Sequence, residues 1–344
     1  DFGLARGDAG FRRDTANLYF HARQLRDNPP LPPERRGASP VLMQEHRYNA
    51  DQPETLPFLE ALRARMDAHG ERMAVGEIGG AAWDARMAEY TEGDQRLHTA
   101  YSFAFLGPRP SPRVWPCWAF SNHDGPRVAP RWSGAQGKAF DFGLGGGEGS
   151  STSDTPPETW MALLLALRGT VFVYQGEELG LDEAVVPFEQ MKDPFGIAHW
   201  PLVTGRDGCR TPMPWEANAP QAGFSTHAPW LPVWPAHQGK AVDRQSADAN
   251  SMLSTTRQLI RLRQQHPALR VGELEVAHVD DDLLHLVRRS GQTEMHAVFN
   301  LGGTARTMAM PRADARTQWC GGARPTPTTL DLPPGAAWFG LGDA

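Results

Sequence analysis

Three short apolar runs in this chain each end in a carboxylate and then break into polar or glycine-rich sequence. They are Gly10-Phe-Arg-Arg-Asp14-Thr-Ala-Asn17, Ala74-Val-Gly-Glu77-Ile-Gly-Gly80 and Phe120-Ser-Asn-His-Asp124. Each reads as a strand that stops where its acid begins. The chain is thereby confined to a fold that carries acidic side chains at the carboxyl ends of successive strands.

Between these runs lies helical sequence. Residues 57–66 place Phe58, Leu59, Leu62 and Met66 at helical spacing behind Pro57, and residues 159–167 form an apolar helical run. Strands are expected at 9–14, 73–76, 98–106, 115–122 and 170–174. Strand, helix, strand in this order signals a parallel sheet. A β/α barrel presents its catalytic groups where such strands end. The segment after Asp14, with Pro29-Pro30 and Pro32-Pro33, reads as a long surface loop. Residues 182–234 are rich in proline and glycine and read as a second long loop. Only residues 107–114 separate Leu106 from Trp115. A crossover between parallel strands needs about a dozen residues or more, so the helix there is expected to be missing. Residues 143–153 read as a flexible low-complexity insert. Residues 251–264 form a strong amphipathic helix, and the alternating runs 283–287 and 295–299 read as antiparallel strands. The expected division is a β/α portion over 1–265 and a portion of antiparallel strands over 266–344.

Composition narrows the partners. A chain of 344 residues, 40% hydrophobic and 22% charged, can bury a sizeable core. The formal net charge of −6, with lysines and arginines scattered, offers no track for phosphates, so nucleic acid is not expected. No apolar stretch approaches the roughly 20 residues of a membrane span. No basic-then-apolar leader opens the sequence. Cys117, Cys209 and Cys320 are far apart and odd in number, which predicts free thiols rather than a disulfide frame or a metal site. A cytoplasmic setting is the default expectation.

Taken in order, the three acidic phrases resemble the signature regions of the α-amylase family, glycoside hydrolase family 13. Further motifs are similar to its α-glucosidase and oligo-1,6-glucosidase branch: His21 with Leu25-Arg-Asp-Asn-Pro-Pro30, Tyr90-Thr91, Arg96-Leu-His98, Ala100-Tyr-Ser-Phe103, Val173-Tyr-Gln-Gly-Glu-Glu-Leu-Gly180 and Arg206-Asp-Gly-Cys-Arg-Thr-Pro-Met-Pro-Trp215. The resemblance covers about residues 5–300. It implies a (β/α)8 barrel followed by an antiparallel β-sandwich, and places Asp14 at the end of the fourth barrel strand. Strands one to three, the family's first signature region with its Asp and His, and its divalent-ion site then fall outside this chain. Together with Asp1 at the first position, this predicts a fragment, a processed product or an incomplete gene model.

By the same resemblance Asp14 is the nucleophile, Glu77 the acid/base and Asp124 the transition-state stabiliser. Arg12 shares a strand face with Asp14 and would orient it. Glu77 must hold a proton near neutral pH, which Ile78 and the nearby Asp14 would favour. Arg13 stands where the family places an aliphatic residue, and a buried charge there would need a partner. His123 would bind sugar beside Asp124. Arg206 and Arg210 would recognise the non-reducing end, where the branch pairs such an arginine with an acid near the start of the protein. Thr15 resembles enzymes that prefer α-1,4 linkages, and some of the 11 tryptophans would offer platforms for sugar faces. The implied activity is retaining hydrolysis of maltose and short malto-oligosaccharides through a glycosyl-enzyme, with no cofactor and no metal. Weak or no turnover is expected from the chain alone. Alternatives are a transglucosidase or sucrose-processing relative, and a non-catalytic remnant acting as a binding module. Asp1-Phe-Gly3 and Asp141-Phe-Gly143 resemble a kinase triplet, but the kinase's His-Arg-Asp loop is lacking.

Overall fold

Strands β1 (Gly10–Arg13), β2 (Met73–Ile78), β3 (Thr99–Ser102) and β4 (Cys117–Ala119) lie side by side in sequence order, all parallel. This computed structural model describes residues 2–36, 43–79, 83–102, 117–132, 155–201, 203–312 and 314–343. The chain divides into two units, with the division between Ala119 and Phe120. The expected boundary at 265/266 falls inside the second unit, between helix Met252–Gln265 and helix Pro267–Val271.

In the first unit, helix Thr55–Asp67 leads from β1 to β2, and helix Trp83–Thr91 leads from β2 to β3. Each covers the same sheet face. Phe11, Ala74 and Ile78 pack with Leu59, Met66, Met87 and Tyr90 in one core, which leaves Arg12, Val75 and Glu77 on the opposite face by strand alternation. Gly76 belongs to the covered face, where a Cβ would collide with the Leu97 side chain. Helix Trp83–Thr91 is absent from the reading of the sequence, although Met87 and Tyr90 stand three apart on its buried side. His98 fixes the entry to the sheet. Its backbone N–H donates to Ala74 O at 3.1 Å, and its Nδ1 accepts from Ala74 N at 3.0 Å. Burial holds the His98 pKa below the usual histidine range, in keeping with a ring nitrogen that accepts.

Arg13 lies on the covered side of β1, and its guanidinium stands 5.0 Å from the centroid of the Phe11 ring. A cation over an aromatic face replaces the aliphatic contact expected there.

The second unit contains β5 (Thr170–Phe172) and helix Pro157–Ala166, every residue of which from Thr159 onward is buried. The described residues of 182–234 form mostly irregular backbone with short helical turns such as Pro194–His199 and Asp207–Arg210. Ser251 caps helix Met252–Gln265, its hydroxyl accepting from Ser254 N at 3.1 Å. Beyond it come β6 (Glu273–Val279), β7 (Leu283–Ser290), β8 (Thr293–Asn300), β9 (Arg306–Ala309), β10 (Arg316–Gly321), β11 (Arg324–Pro325), β12 (Thr329–Leu332) and β13 (Ala337–Asp343). They form two antiparallel sheets, ordered β10-β13-β8-β7-β6 and β11-β12-β9. Leu283, Val298 and Trp338 of the first pack against Leu330 and Leu332 of the second. The expected strands at 283–287 and 295–299 lie within β7 and β8.

The anticipated loss of a helix at 107–114 and the insert at 143–153 lie outside the described residues. All three cysteines are free, Cys117 and Cys209 buried and Cys320 exposed. No helix among the described residues is long and apolar enough to cross a membrane.

Trp338 is fully buried between the two antiparallel sheets and donates Nε1–H to Thr317 Oγ1 at 2.9 Å. Trp338→Ala is expected to destabilise the second unit by about 3–5 kcal/mol, read as a lowered urea midpoint. A loss below about 0.5 kcal/mol, the range of ordinary surface substitutions, would show that this core is not formed.

Candidate active site

β1 and β2 pair with Arg12 opposite Val75, so the side chains of residues 12, 75 and 77 share one face and Asp14 follows just past the end of β1. Arg12 uses this placement twice. Its Nη1 donates to Asp14 Oδ1 and its Nη2 donates to Glu77 Oε2, each at 2.5 Å. One planar guanidinium therefore touches both carboxylates. Thr15 adopts a left-handed conformation (φ 40°, ψ 49°) that few non-glycine residues take up. This turn ends β1 and directs the Thr15 N–H to Glu77 Oε2 at 3.3 Å. Strain of this kind recurs where a structure positions functional groups.

Glu77 is 6% exposed, whereas the Asp14 side chain is 70% exposed. Burial and hydrogen bonding with Asp14 push the Glu77 carboxyl up to about 7, outweighing Arg12 and the Thr15 N–H, which favour its anion. Of the two neighbours expected to raise it, Asp14 acts. Ile78 instead points into the core beneath the helices, so burial of Glu77 itself supplies the remainder. Asn17, which closes the first acidic motif but had no role assigned from the sequence, is buried and donates Nδ2–H to Gly79 O at 3.0 Å. It ties the turn after β1 to the turn after β2.

In the second unit, His123, Asp124, Arg206 and Arg210 come together. Arg206 Nη1 and Arg210 Nη2 both donate to Asp124 Oδ1, at 3.1 and 2.9 Å, and His123 Nε2 lies 3.2 Å from Asp124 Oδ2. Arg210 Nε also donates to His123 O at 2.6 Å. Arg206 has a second acidic partner close by. Asp193, buried at the start of helix Pro194–His199, receives Arg206 Nε at 3.1 Å and Nη2 at 2.6 Å.

Arg127 is a second group that the reading of the sequence missed. It is fully buried and donates to the carbonyls of Gln175, Asp182 and Cys209 at 3.2, 3.1 and 3.1 Å. It thereby joins the turn after β5 to the Arg206–Arg210 segment. The only sequence signal was its place three residues after Asp124.

The alpha-amylase family, described by its catalytic domain, matches residues 109–272. A probable alpha-glucosidase of Rhizobium meliloti (strain 1021) is 41% identical over 333 residues, which cover 90% of this chain and 58% of that protein. An oligo-1,6-glucosidase of Halalkalibacterium halodurans is 25% identical, over 84% of this chain and 56% of its own length. Among solved structures, the crystal structure of an alpha-glucosyl transfer enzyme, XgtA, matches with a TM-score of 0.85 at 37% identity, over 99% of this chain and 65% of that one. The chain belongs to the α-amylase family, glycoside hydrolase family 13, with that family's parallel β/α strands and C-terminal antiparallel sheets. It spans 58% and 56% of the length of these two curated relatives.

The raised Glu77 carboxyl links stability to pH. Its folded value of about 7 exceeds the ordinary 4.5, so the folded state keeps the proton longer. The resulting stabilisation is fully present below the ordinary value and is lost as pH rises through about 7. Glu77→Gln removes that ionisation. Its melting temperature relative to the parent should therefore increase steadily between about pH 5 and about pH 8. A difference that stays flat or falls over this range would contradict the buried, proton-holding carboxyl.

Proposed function

We propose that this chain carries the catalytic carboxylates of a retaining α-glucosidase acting on terminal α-glucosidic bonds of maltose and short malto-oligosaccharides. The observation that carries this reading is the Arg12 guanidinium shared by an exposed Asp14 and a buried Glu77 whose carboxyl titrates near neutrality.

Retaining glycosidases keep two carboxyl groups about 5–5.5 Å apart, one to attack the anomeric carbon and one to protonate the departing oxygen. Asp14 is exposed and acts as nucleophile, forming the bond to the anomeric carbon as the glycosidic bond breaks. Glu77 holds a proton near neutral pH and gives it to the leaving oxygen. Once ionised, Glu77 takes a proton from the incoming water, which cleaves the glycosyl ester and restores Asp14. Arg12 keeps the two carboxylates in register throughout. Asp124, bound by Arg206 and Arg210 and next to His123, is assigned to sugar hydroxyls and to the positive charge that develops at the anomeric centre. Thr15 accords with an α-1,4 preference. No cofactor enters these steps.

A second reading, transfer of the glucosyl group to a sugar acceptor, is favoured by the likeness to the glucosyl transfer enzyme. Both share the glycosyl-enzyme and differ in what attacks it.

The test is glucose release from maltose and p-nitrophenyl α-glucoside, together with mass-spectrometric search for a glucosyl adduct after exposure to 5-fluoro-α-glucosyl fluoride. The parent is expected to carry the adduct on Asp14, and Asp14→Asn to lose both adduct and turnover. An adduct elsewhere, or a folded parent without adduct or turnover, would sink the proposal in favour of a binding remnant. Glucose-to-nitrophenol ratios well below unity in the presence of acceptor sugars would select transfer.

The pH profile carries a further prediction. The basic limb of kcat/KM reports the acid in the free enzyme, and is expected near pH 7, where Glu77 loses its proton. Arg12 favours the Glu77 anion, so Arg12→Met should move that limb upward while lowering kcat. A limb that stays in place would remove Glu77 from the role of acid.

A further inference from the structure

Arg206 makes three kinds of contact, and only one faces the proposed sugar-binding carboxylate. Its Nη1 reaches Asp124 Oδ1 at 3.1 Å. The remaining edge of the guanidinium, Nε and Nη2, is gripped at two points by the two oxygens of Asp193, at 3.1 and 2.6 Å. The Arg206 backbone N–H also donates to Asp193 Oδ2, at 2.9 Å. A two-point grip fixes the plane of the guanidinium as well as its position. The third nitrogen is thereby aimed.

Asp193 is itself held from behind. Its side chain has no exposed surface, and its Oδ1 accepts from Phe195 N at 3.3 Å at the start of helix Pro194–His199. The backbone N–H groups of Lys192 and Asp193 both donate to Asp207 Oδ2, at 2.6 and 2.9 Å. Although burial alone would raise its pKa, the bonds from Arg206 leave the Asp193 carboxyl below the usual range. Nothing in this arrangement touches Asp124 except through Arg206.

We propose that Asp193 is a positioning residue that aims Arg206 at Asp124, so that Asp124 is presented to the sugar in one orientation. The proposal rests on the glucosidase reading above for its substrate, an α-glucoside. A carboxylate that binds sugar hydroxyls discriminates only if it is held before the sugar arrives. Asp193 supplies that hold from a distance of one residue.

The experiment is a double-mutant cycle on maltose hydrolysis with Asp193→Asn, Arg206→Met and the pair together. Asp193→Asn keeps an oxygen for the helix cap but loses the charge and the two-point grip. We expect it to raise KM about 10- to 100-fold, the effect of a lost hydrogen bond to a charged group, and to lower kcat as well because Asp124 also faces the developing charge, with the basic pH limb unchanged. The double variant should be no worse than Arg206→Met alone. A parental KM in Asp193→Asn, or additive losses in the double variant, would overturn the proposal and leave Asp193 as a helix cap.

A second variant covers failure of Asp193→Asn to fold. Arg206→Lys keeps the positive charge but cannot make the two-point contact, and is expected to raise KM as much as Arg206→Met. A lysine variant with parental KM would also overturn the proposal. A parent that neither releases glucose nor labels at Asp14 would defeat the glucosidase reading and this one with it, whereas an active parent with an additive cycle defeats this one alone.

Discussion

Burying Glu77 while leaving it able to hold and release a proton is the constraint on which the first unit depends. A buried carboxylate requires donors, and the pairing of β1 with β2 provides them, because Arg12 stands opposite Val75 and on the same face as Glu77. The second donor comes from strain, the left-handed Thr15 that turns its N–H toward Glu77. The opposite face of the same strands is apolar and covered by two helices. Strand alternation therefore converts one hydrophobic core into a rigid support for one polar cluster. Asn17 then bonds across the two strand ends and keeps their turns from drifting apart.

The second unit meets a different constraint. Long irregular backbone leaves carbonyls without the partners that helices and sheets supply, and arginine, with five N–H donors, fills that need repeatedly. Arg127 serves three loop carbonyls. Arg263 serves Leu165, Leu167 and Gly169 at the end of helix Pro157–Ala166, and Arg288 serves Ala166 and Gly272. Cations there also complement the negative end of the helix. The cost is visible in the arginines themselves, since burial draws Arg263 down to about 10 and Arg288 to about 9.

Local pattern made much of this legible. The apolar run before Asp14, the spacing of Leu59, Leu62 and Met66, and the alternation in 283–287 and 295–299 each report burial by neighbours close in sequence. Arg12 and Asp14 were readable as a pair because two residues of one strand share a face. That the same guanidinium also reaches Glu77 depends on register between strands 65 positions apart, which no local pattern records. Helix Trp83–Thr91 escaped notice because, among its described side chains, only Met87 and Tyr90 are buried. Asp193 and Arg127 escaped for another reason: their partners lie across loops, and loop geometry has no period to read.

The two polar clusters differ in how charge is counted, and that difference fits different work. Around Glu77 burial first, and then a second carboxylate sharing its one guanidinium, favour keeping a proton on the more buried of the two acids. Around Asp124 two guanidiniums face Asp124 and Asp193, so the charges balance without one. A group that must pass a proton benefits from the first arrangement. The sugar-binding role proposed for Asp124 benefits from the second, because balanced, doubly anchored partners need little rearrangement as charge develops. The arginines of this chain are thus divided by geometry rather than by residue type. Arg12 joins two acids and holds them in place while burial and Asp14 keep the proton on Glu77, and Arg206 is itself pinned by one acid so that it can pin another.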